Sequence, residues 1–146
     1  MKETQPMIEA FYAFLQKIGF SHPLHPPLTH LPMGLVTASF LFALMAIFFA
    51  KPVLLTTARH CSLLALVFAL PTGVAGYFDW VHRYGGSMER AIQIKLVLAP
   101  LLFIVLTVAA WQSRKPASAK TMCFLYGCAL LCAIGLGFFG GGLVYD

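Results

Sequence analysis

The chain is 146 residues long, and 60% of its residues are hydrophobic whereas only 10% are charged. A water-soluble domain of this size cannot hide so much apolar surface, so the composition excludes an ordinary soluble protein and indicates lipid as the main solvent. The formal net charge of +5 includes no dense basic run. The excess of basic residues is therefore explained by the orientation of the chain in a membrane and not by binding to nucleic acid.

The first segment, residues 1–20, is predicted to be an amphipathic helix. Its apolar side chains recur at helical spacing between residues 7 and 18, namely Met7, Ile8, Phe11, Leu15 and Ile18. Gly19 is a plausible stop signal. The segment is too short and too polar to cross a bilayer. We expect it to lie at the membrane interface, although docking onto a partner subunit would produce the same pattern.

Four apolar segments follow, each long enough to cross the hydrocarbon core as a helix. They lie at about residues 31–50, 60–79, 90–111 and 121–144. Prolines inside them do not argue against spanning helices, because neighbouring helices can satisfy the backbone groups that a proline frees. The sequence therefore predicts an all-α transmembrane four-helix bundle formed by residues 21–146, preceded by the interfacial helix.

The last apolar segment carries small residues at every fourth position. These residues are Ala129, Ala133, Gly137 and Gly141. A helix face without bulky side chains lets another helix approach closely, so we expect this face to pack inside the bundle.

Basic residues indicate how the chain is oriented. The two loops after the first and third spans contain Lys51, Arg59, Arg114, Lys115 and Lys120, with no acidic residue between them. The positive-inside rule places these loops on the cytoplasmic side of the membrane, and both termini on the outer side. A count over the whole chain is less decisive, because it divides the 10 lysines and arginines evenly between the two sides.

Histidines cluster at the membrane face that holds the amino terminus. His22, His25 and His30 stand among four prolines just before the first span, and His82 returns to the same face after the second span. Proline biases the residue before it toward an extended backbone. We therefore expect His22 and His25 on a stiff extended segment, and His30 at the mouth of the first spanning helix.

Histidines from two helices at one membrane level are what a b-type haem requires as axial ligands. We expect His30 and His82 to be that pair, with His25 as the substitute. Lys95 and Arg83 lie on the same side of the membrane and are expected near the haem propionates.

Two other interpretations of the histidines remain open. A copper or zinc ion bound by His22, His25 and His30 is chemically reasonable. Alternatively, the histidines cap helix ends and contact other subunits, without binding any cofactor. The sequence shows no nucleophile with an adjacent base, no phosphate loop and no paired catalytic carboxylates, so the chain is predicted to be at most an electron-transfer subunit with no catalytic residues of its own.

Three motifs resemble those of an uncharacterised family of bacterial four-helix membrane domains. The segment His25-Pro26-Pro27-Leu28-Thr29-His30-Leu31-Pro32-Met33-Gly34 is similar to the opening motif, His-Pro-x-x-x-His-x-Pro-hydrophobic-Gly. Gly76-Tyr77-Phe78-Asp79-Trp80 resembles the second motif, and Gly140-Gly141-Gly142-Leu143-Val144-Tyr145 the closing one. The resemblance covers nearly the whole chain from His22 onward and implies a four-helix membrane domain.

The resemblance also implies an electron-transfer setting, because similar domains occur fused to, or encoded beside, Rieske iron–sulfur and c-type cytochrome modules. This chain departs from many relatives in lacking a histidine within the third span, where Gln93 and Lys95 lie. If that histidine is a ligand in the family, haem is held differently here or is absent.

The sequence thus predicts an integral redox subunit of the bacterial inner membrane, with both termini in the periplasm and haem b bound near the periplasmic face. Its expected partner is a cytochrome, an iron–sulfur protein or another membrane subunit. The alternatives are a non-enzymatic anchor or assembly subunit of a larger complex, and a histidine-based copper or zinc site.

Overall fold

The computed structural model describes residues 4–115 and 117–145, with side chains described as far as residue 140. Five α-helices and no strand occur in this part of the chain. The helices are α1 Gln5–Lys17, α2 His25–Phe48, α3 Pro52–Tyr84, α4 Arg90–Gln112 and α5 Ala119–Tyr145. Four of them, α2 to α5, are long and apolar enough to cross a membrane. The predicted all-α transmembrane architecture is confirmed.

The four long helices form a closed ring of neighbours. Helix α2 packs against α3, α3 against α4, α4 against α5, and α5 against α2. Short connections between consecutive helices make these neighbours antiparallel, as in other four-helix bundles. Inside the ring, small residues such as Ala43, Ala58, Ala65 and Ala109 are almost completely buried. They let the helix backbones approach closely, whereas large apolar side chains are left on the outside for lipid.

The small-residue face of α5 lies inside the bundle, as predicted. Ala129 and Ala133 are each 1% exposed and belong to the buried core. A β-carbon added to Gly137 would lie only 2.8 Å from the Cε atom of Met33 on α2. This face therefore forms part of the packing between α5 and α2. The predicted fourth member, Gly141, lies beyond residue 140, where the description of side chains ends.

Helix α2 begins at His25, earlier than the predicted first span. Pro26 and Pro27 occupy its first turn, where a missing N–H costs nothing because the first N–H groups of a helix have no partner within it. The expectation that His25 stands on an extended segment is therefore wrong, and only His22 lies in the connection between α1 and α2. Helix α3 likewise begins early, at Pro52, and extends for 33 residues.

Helix α1 packs across the end of the bundle at the membrane face that we call the α1 face. Ile8 and Tyr12 are 0% and 4% exposed and contact the end of α3 in a cluster with Val81 and Phe78. Gly19, with a φ of +87°, follows the end of the helix, in the left-handed region that favours glycine. The outward side of α1 is apolar as well, with Met7, Phe11, Phe14 and Ile18 exposed. A helix with this surface suits the membrane interface.

Candidate functional site

A buried carboxylate, Asp79, is the centre of the polar structure at the α1 face. It lies near the end of α3 and is 6% exposed. Its Oδ2 accepts a hydrogen bond from the backbone N–H of His25 at 2.8 Å, and its Oδ1 accepts one from the N–H of Leu24 at 3.3 Å. The hydroxyl of Tyr12 also donates to Oδ1. One carboxylate thus joins α1, α2 and α3, and it places a negative charge at the amino end of α2, where the helix dipole favours it.

The imidazole of His25 is held in a defined orientation against α3. Its Nδ1 lies 2.9 Å from the backbone oxygen of Thr72. Because a carbonyl oxygen can only accept, Nδ1 carries the proton and donates, which leaves Nε2 with its lone pair. The ring rests where Gly76 has no side chain, since a β-carbon there would lie 2.9 Å from Nδ1 and 3.0 Å from Cε1. Any other residue at position 76 would push the ring away.

Lys95 of α4 connects α4 and α5 with the polar groups around Asp79. Its half-buried side chain starts from α4 and is near enough to interact electrostatically with Asp79 and with His25. Its Nζ lies 3.7 Å from the position that a β-carbon on Gly140 of α5 would occupy. We call the residues Tyr12, His25, Thr72, Asp79 and Lys95 the Asp79 cluster.

Tyr12 is the member of the cluster that lies outside the membrane-spanning helices. Burial of its side chain and its hydrogen bond to the Asp79 carboxylate both raise the pKa of the Tyr12 hydroxyl well above its ordinary value. The hydroxyl is therefore a neutral donor at all physiological pH values. Its ring also stacks on the imidazole of His82, with 4.0 Å between centroids and an interplanar angle of 2°.

The other predicted ligands have different surroundings. His82 pairs through Nδ1 with Glu9 of α1 at 3.0 Å, and His22 and His30 are exposed. Within the described part of the chain, no hydrogen bond or ring contact joins two of the histidines at this face. The guanidinium of Arg83 donates to the carbonyl of Ser21 at 2.8 Å. His25 and Lys95 are thus the two predicted residues that the structure brings into one cluster.

No group of three or more histidine, cysteine, aspartate or glutamate side chains is arranged to hold a metal ion among the residues that the structure describes. The copper or zinc site built from His22, His25 and His30 stays a prediction.

Sequence reasoning did not consider Thr72, and it named Gly76 and Asp79 only as members of the second family motif. A signal was present in the spacing, because positions 72, 76 and 79 fall on one helical face. That face carries a hydroxyl, a glycine and a carboxylate at the end of an apolar span. A polar stripe of this kind within a membrane helix points to a partner on another helix.

The fold and the buried cluster define a polytopic α-helical membrane protein. The sequence pattern of the family described as "Predicted membrane protein (DUF2231)" matches residues 21–146, and the chain belongs to this family. The resemblance noted in the sequence is thereby confirmed at the level of the family, for which no function is assigned. No curated protein and no solved structure matches the chain.

Proposed function

We propose that this protein is a membrane redox subunit that binds a b-type haem at the α1 face, with His25 as an axial ligand. The supporting observation is the orientation of the His25 ring, whose Nδ1 bonds to the Thr72 carbonyl. A histidine that binds a metal almost always donates its other ring N–H to a carbonyl or a carboxylate, which fixes the tautomer and aims the free nitrogen. The bare backbone at Gly76 gives the ring its place.

His25 is a better ligand than the pair expected from the sequence. His82 meets the same criterion, because its Nδ1 pairs with the Glu9 carboxylate, but this pair is partly exposed and the His82 ring is stacked on Tyr12 of α1. His30 lies five positions beyond His25 in α2, which turns it about 140° around the helix axis. We therefore take His25 as the first ligand and His82 as the candidate for a second one, whereas His30 faces another side of α2.

Lys95 supplies the charge that a haem at this place needs. Haem propionates are anionic, and the only other predicted partner among these residues, Arg83, already donates to the Ser21 carbonyl. Lys95 is near enough to His25 and to Asp79 for its charge to act on both, and its side chain is half-buried. Bound haem would supply one-electron transfer, and the protein's part is to orient His25 and to balance the propionate charge with Lys95.

The location that we propose is the bacterial inner membrane, with the α1 face on the periplasmic side. Support comes from the opposite face, where Lys51, Arg114, Lys115 and Lys120 are exposed and the positive-inside rule favours the cytoplasm. A periplasmic α1 face would let a cytochrome or an iron–sulfur protein exchange electrons there. Alkaline phosphatase, which is active only in the periplasm, should be active when fused to either terminus. An inactive fusion would show that the termini lie in the cytoplasm.

An absorption spectrum tests the haem proposal. The protein purified from cells supplied with a haem precursor should show a Soret band that is lost in His25→Ala. His60→Ala changes an exposed histidine on α3 at the opposite face and should leave the band unchanged. A colourless protein that folds normally, or a band that survives in His25→Ala, would refute the assignment. Metal analysis of the same samples would reveal copper or zinc instead.

A second candidate function, an anchor or assembly subunit, is favoured by the way the Asp79 cluster satisfies its own polar groups. Asp79 accepts three hydrogen bonds from within the chain. Met7 and Phe14 of α1, and Ile18 directly after it, have exposed fractions of 61%, 59% and 65%. In this function His25 only holds the start of α2 against α3, and α1 contacts another subunit. Co-purification of a membrane complex with the colourless wild-type protein, and its loss when Phe14 is replaced by glutamate, would support it.

A further inference from the structure

A groove opens between α2 and α5, far from the Asp79 cluster. Its volume is about 470 Å³, within the range of roughly 300–1,000 Å³ that is typical of small-molecule sites. The walls are apolar, with Phe40 and Ile47 on α2 and Phe124, Gly127 and Leu131 on α5. Lys120 is the one charged residue in the lining.

The groove follows α5 from the membrane surface toward the middle of the bilayer. Lys120 lies in the first turn of α5, and Leu131 lies 11 positions further along, a rise of about 16 Å at 1.5 Å per residue. Half of a hydrocarbon core of about 30 Å is about 15 Å. The groove therefore has the length of one lipid leaflet.

The charge at this end of the bundle is entirely positive. The sequence contains no aspartate or glutamate in residues 40–62 or 106–132, which form this end. Lys51 and Lys120 are both exposed there. Since Lys120 has no acidic neighbour in these segments, its charge is available to an anion at the membrane surface.

We propose that this groove binds one acyl chain of an anionic phospholipid, whose phosphate lies against Lys120. The apolar walls favour a hydrocarbon chain, and the length selects a lipid of the adjacent leaflet. Lys120 selects a headgroup with a net negative charge, in which no ammonium group balances the phosphate. A groove in the lipid-facing surface of a membrane protein is filled by lipid or by another helix, because water is excluded from the hydrocarbon core. This site is independent of the haem proposal and lies at the opposite end of the bundle.

The headgroup preference is tested by native mass spectrometry of the protein in detergent, with equal amounts of phosphatidylglycerol and phosphatidylcholine that carry the same acyl chains. We expect one retained phosphatidylglycerol per chain, preferred about fivefold, because a basic residue near the surface contributes about that factor for an anionic lipid. Lys120→Gln should abolish the preference, whereas Lys51→Gln, which changes an exposed lysine outside the groove, should keep it. Equal preference in wild type and Lys120→Gln would overturn the proposal.

The acyl-chain part of the proposal is tested by filling the groove. A β-carbon on Gly127 would lie 3.3 Å from Phe40, so Gly127→Leu places its side chain in the groove, and Cys128→Leu fills the next lining position. Either variant that keeps the wild-type unfolding temperature should lose the retained lipid. Ala99→Leu introduces a leucine at an exposed position of α4, outside the groove, and should keep the retained lipid. Retention in the filled variants, or a lipid-free dimer joined through α5, would refute lipid binding at this site.

Discussion

Replacing Asp79 with asparagine should destabilise the protein more than any other change of similar size at the α1 face. The carboxylate is 6% exposed and accepts hydrogen bonds from the Tyr12 hydroxyl and from the N–H groups of Leu24 and His25. A hydrogen bond to a charged group contributes about 1.5–3 kcal/mol. Asparagine keeps one acceptor oxygen but turns an NH₂ group toward the other donors. It also removes the negative charge that acts on Lys95. The expected loss in the free energy of unfolding is roughly 3–5 kcal/mol.

Unfolding by SDS in mixed micelles, followed by circular dichroism, measures this loss. Limited proteolysis between α1 and α2 should report the same change, since Asp79 joins both helices to α3. Glu9→Gln is the matched control. It removes a carboxylate that is 47% exposed and paired with His82, and an exposed pair is worth at most about 1 kcal/mol. If Asp79→Asn costs no more than Glu9→Gln, the carboxylate does not hold the three helices together.

Gly76→Ala should displace the His25 ring, whose Nδ1 would lie 2.9 Å from the new β-carbon, and should cost about 1–3 kcal/mol. Gly73→Ala, on the same helix with nothing within 4 Å, should not destabilise the protein, and equal unfolding curves for the two variants would contradict the proposed ring position. Tyr12 keeps its proton in the folded protein, because burial and Asp79 raise its pKa, while an unfolded tyrosine loses its proton near pH 10. The unfolded state therefore binds fewer protons above about pH 10, so stability falls there as pH rises. Tyr12→Phe should be less stable than the wild type at neutral pH. Its unfolding temperature should also fall less steeply between pH 9 and 11. Equal slopes in the two proteins would refute a link between Tyr12 ionisation and stability.

Much of the fold could be predicted from the sequence, because membrane insertion depends on long uncharged segments that can be recognised in one dimension. The four spanning helices and the inward small-residue face around Ala129 and Ala133 follow from hydropathy and spacing. The amphipathic character of α1 was also visible. The pattern did not show which apolar stripe of α1 faces the bundle, since Ile8 is buried and Met7 is exposed.

The candidate site was harder to predict, because its main contacts join side chains to backbone groups. Asp79 bonds to two N–H groups and His25 to a carbonyl oxygen, and backbone groups are the same at every residue. The prolines near His25 also allowed two structures. Proline disfavours a helix before it but is well suited to the first turn of one. The second preference prevails because Asp79, 54 residues away in the chain, accepts the His25 N–H.

The length of α3 affects how the protein can adapt to its membrane. Its 33 residues span about 50 Å, so about 20 Å of this helix lies beyond a hydrocarbon core about 30 Å thick. The 24 residues of α2 and the 23 of α4 leave much less to spare. A thicker bilayer can therefore cover more of α3 without tilting it, but it would draw the polar end of α3, and α1 with it, closer to the lipid headgroups. Membrane thickness thereby becomes a variable that sets how deeply the α1 face lies among the lipid headgroups.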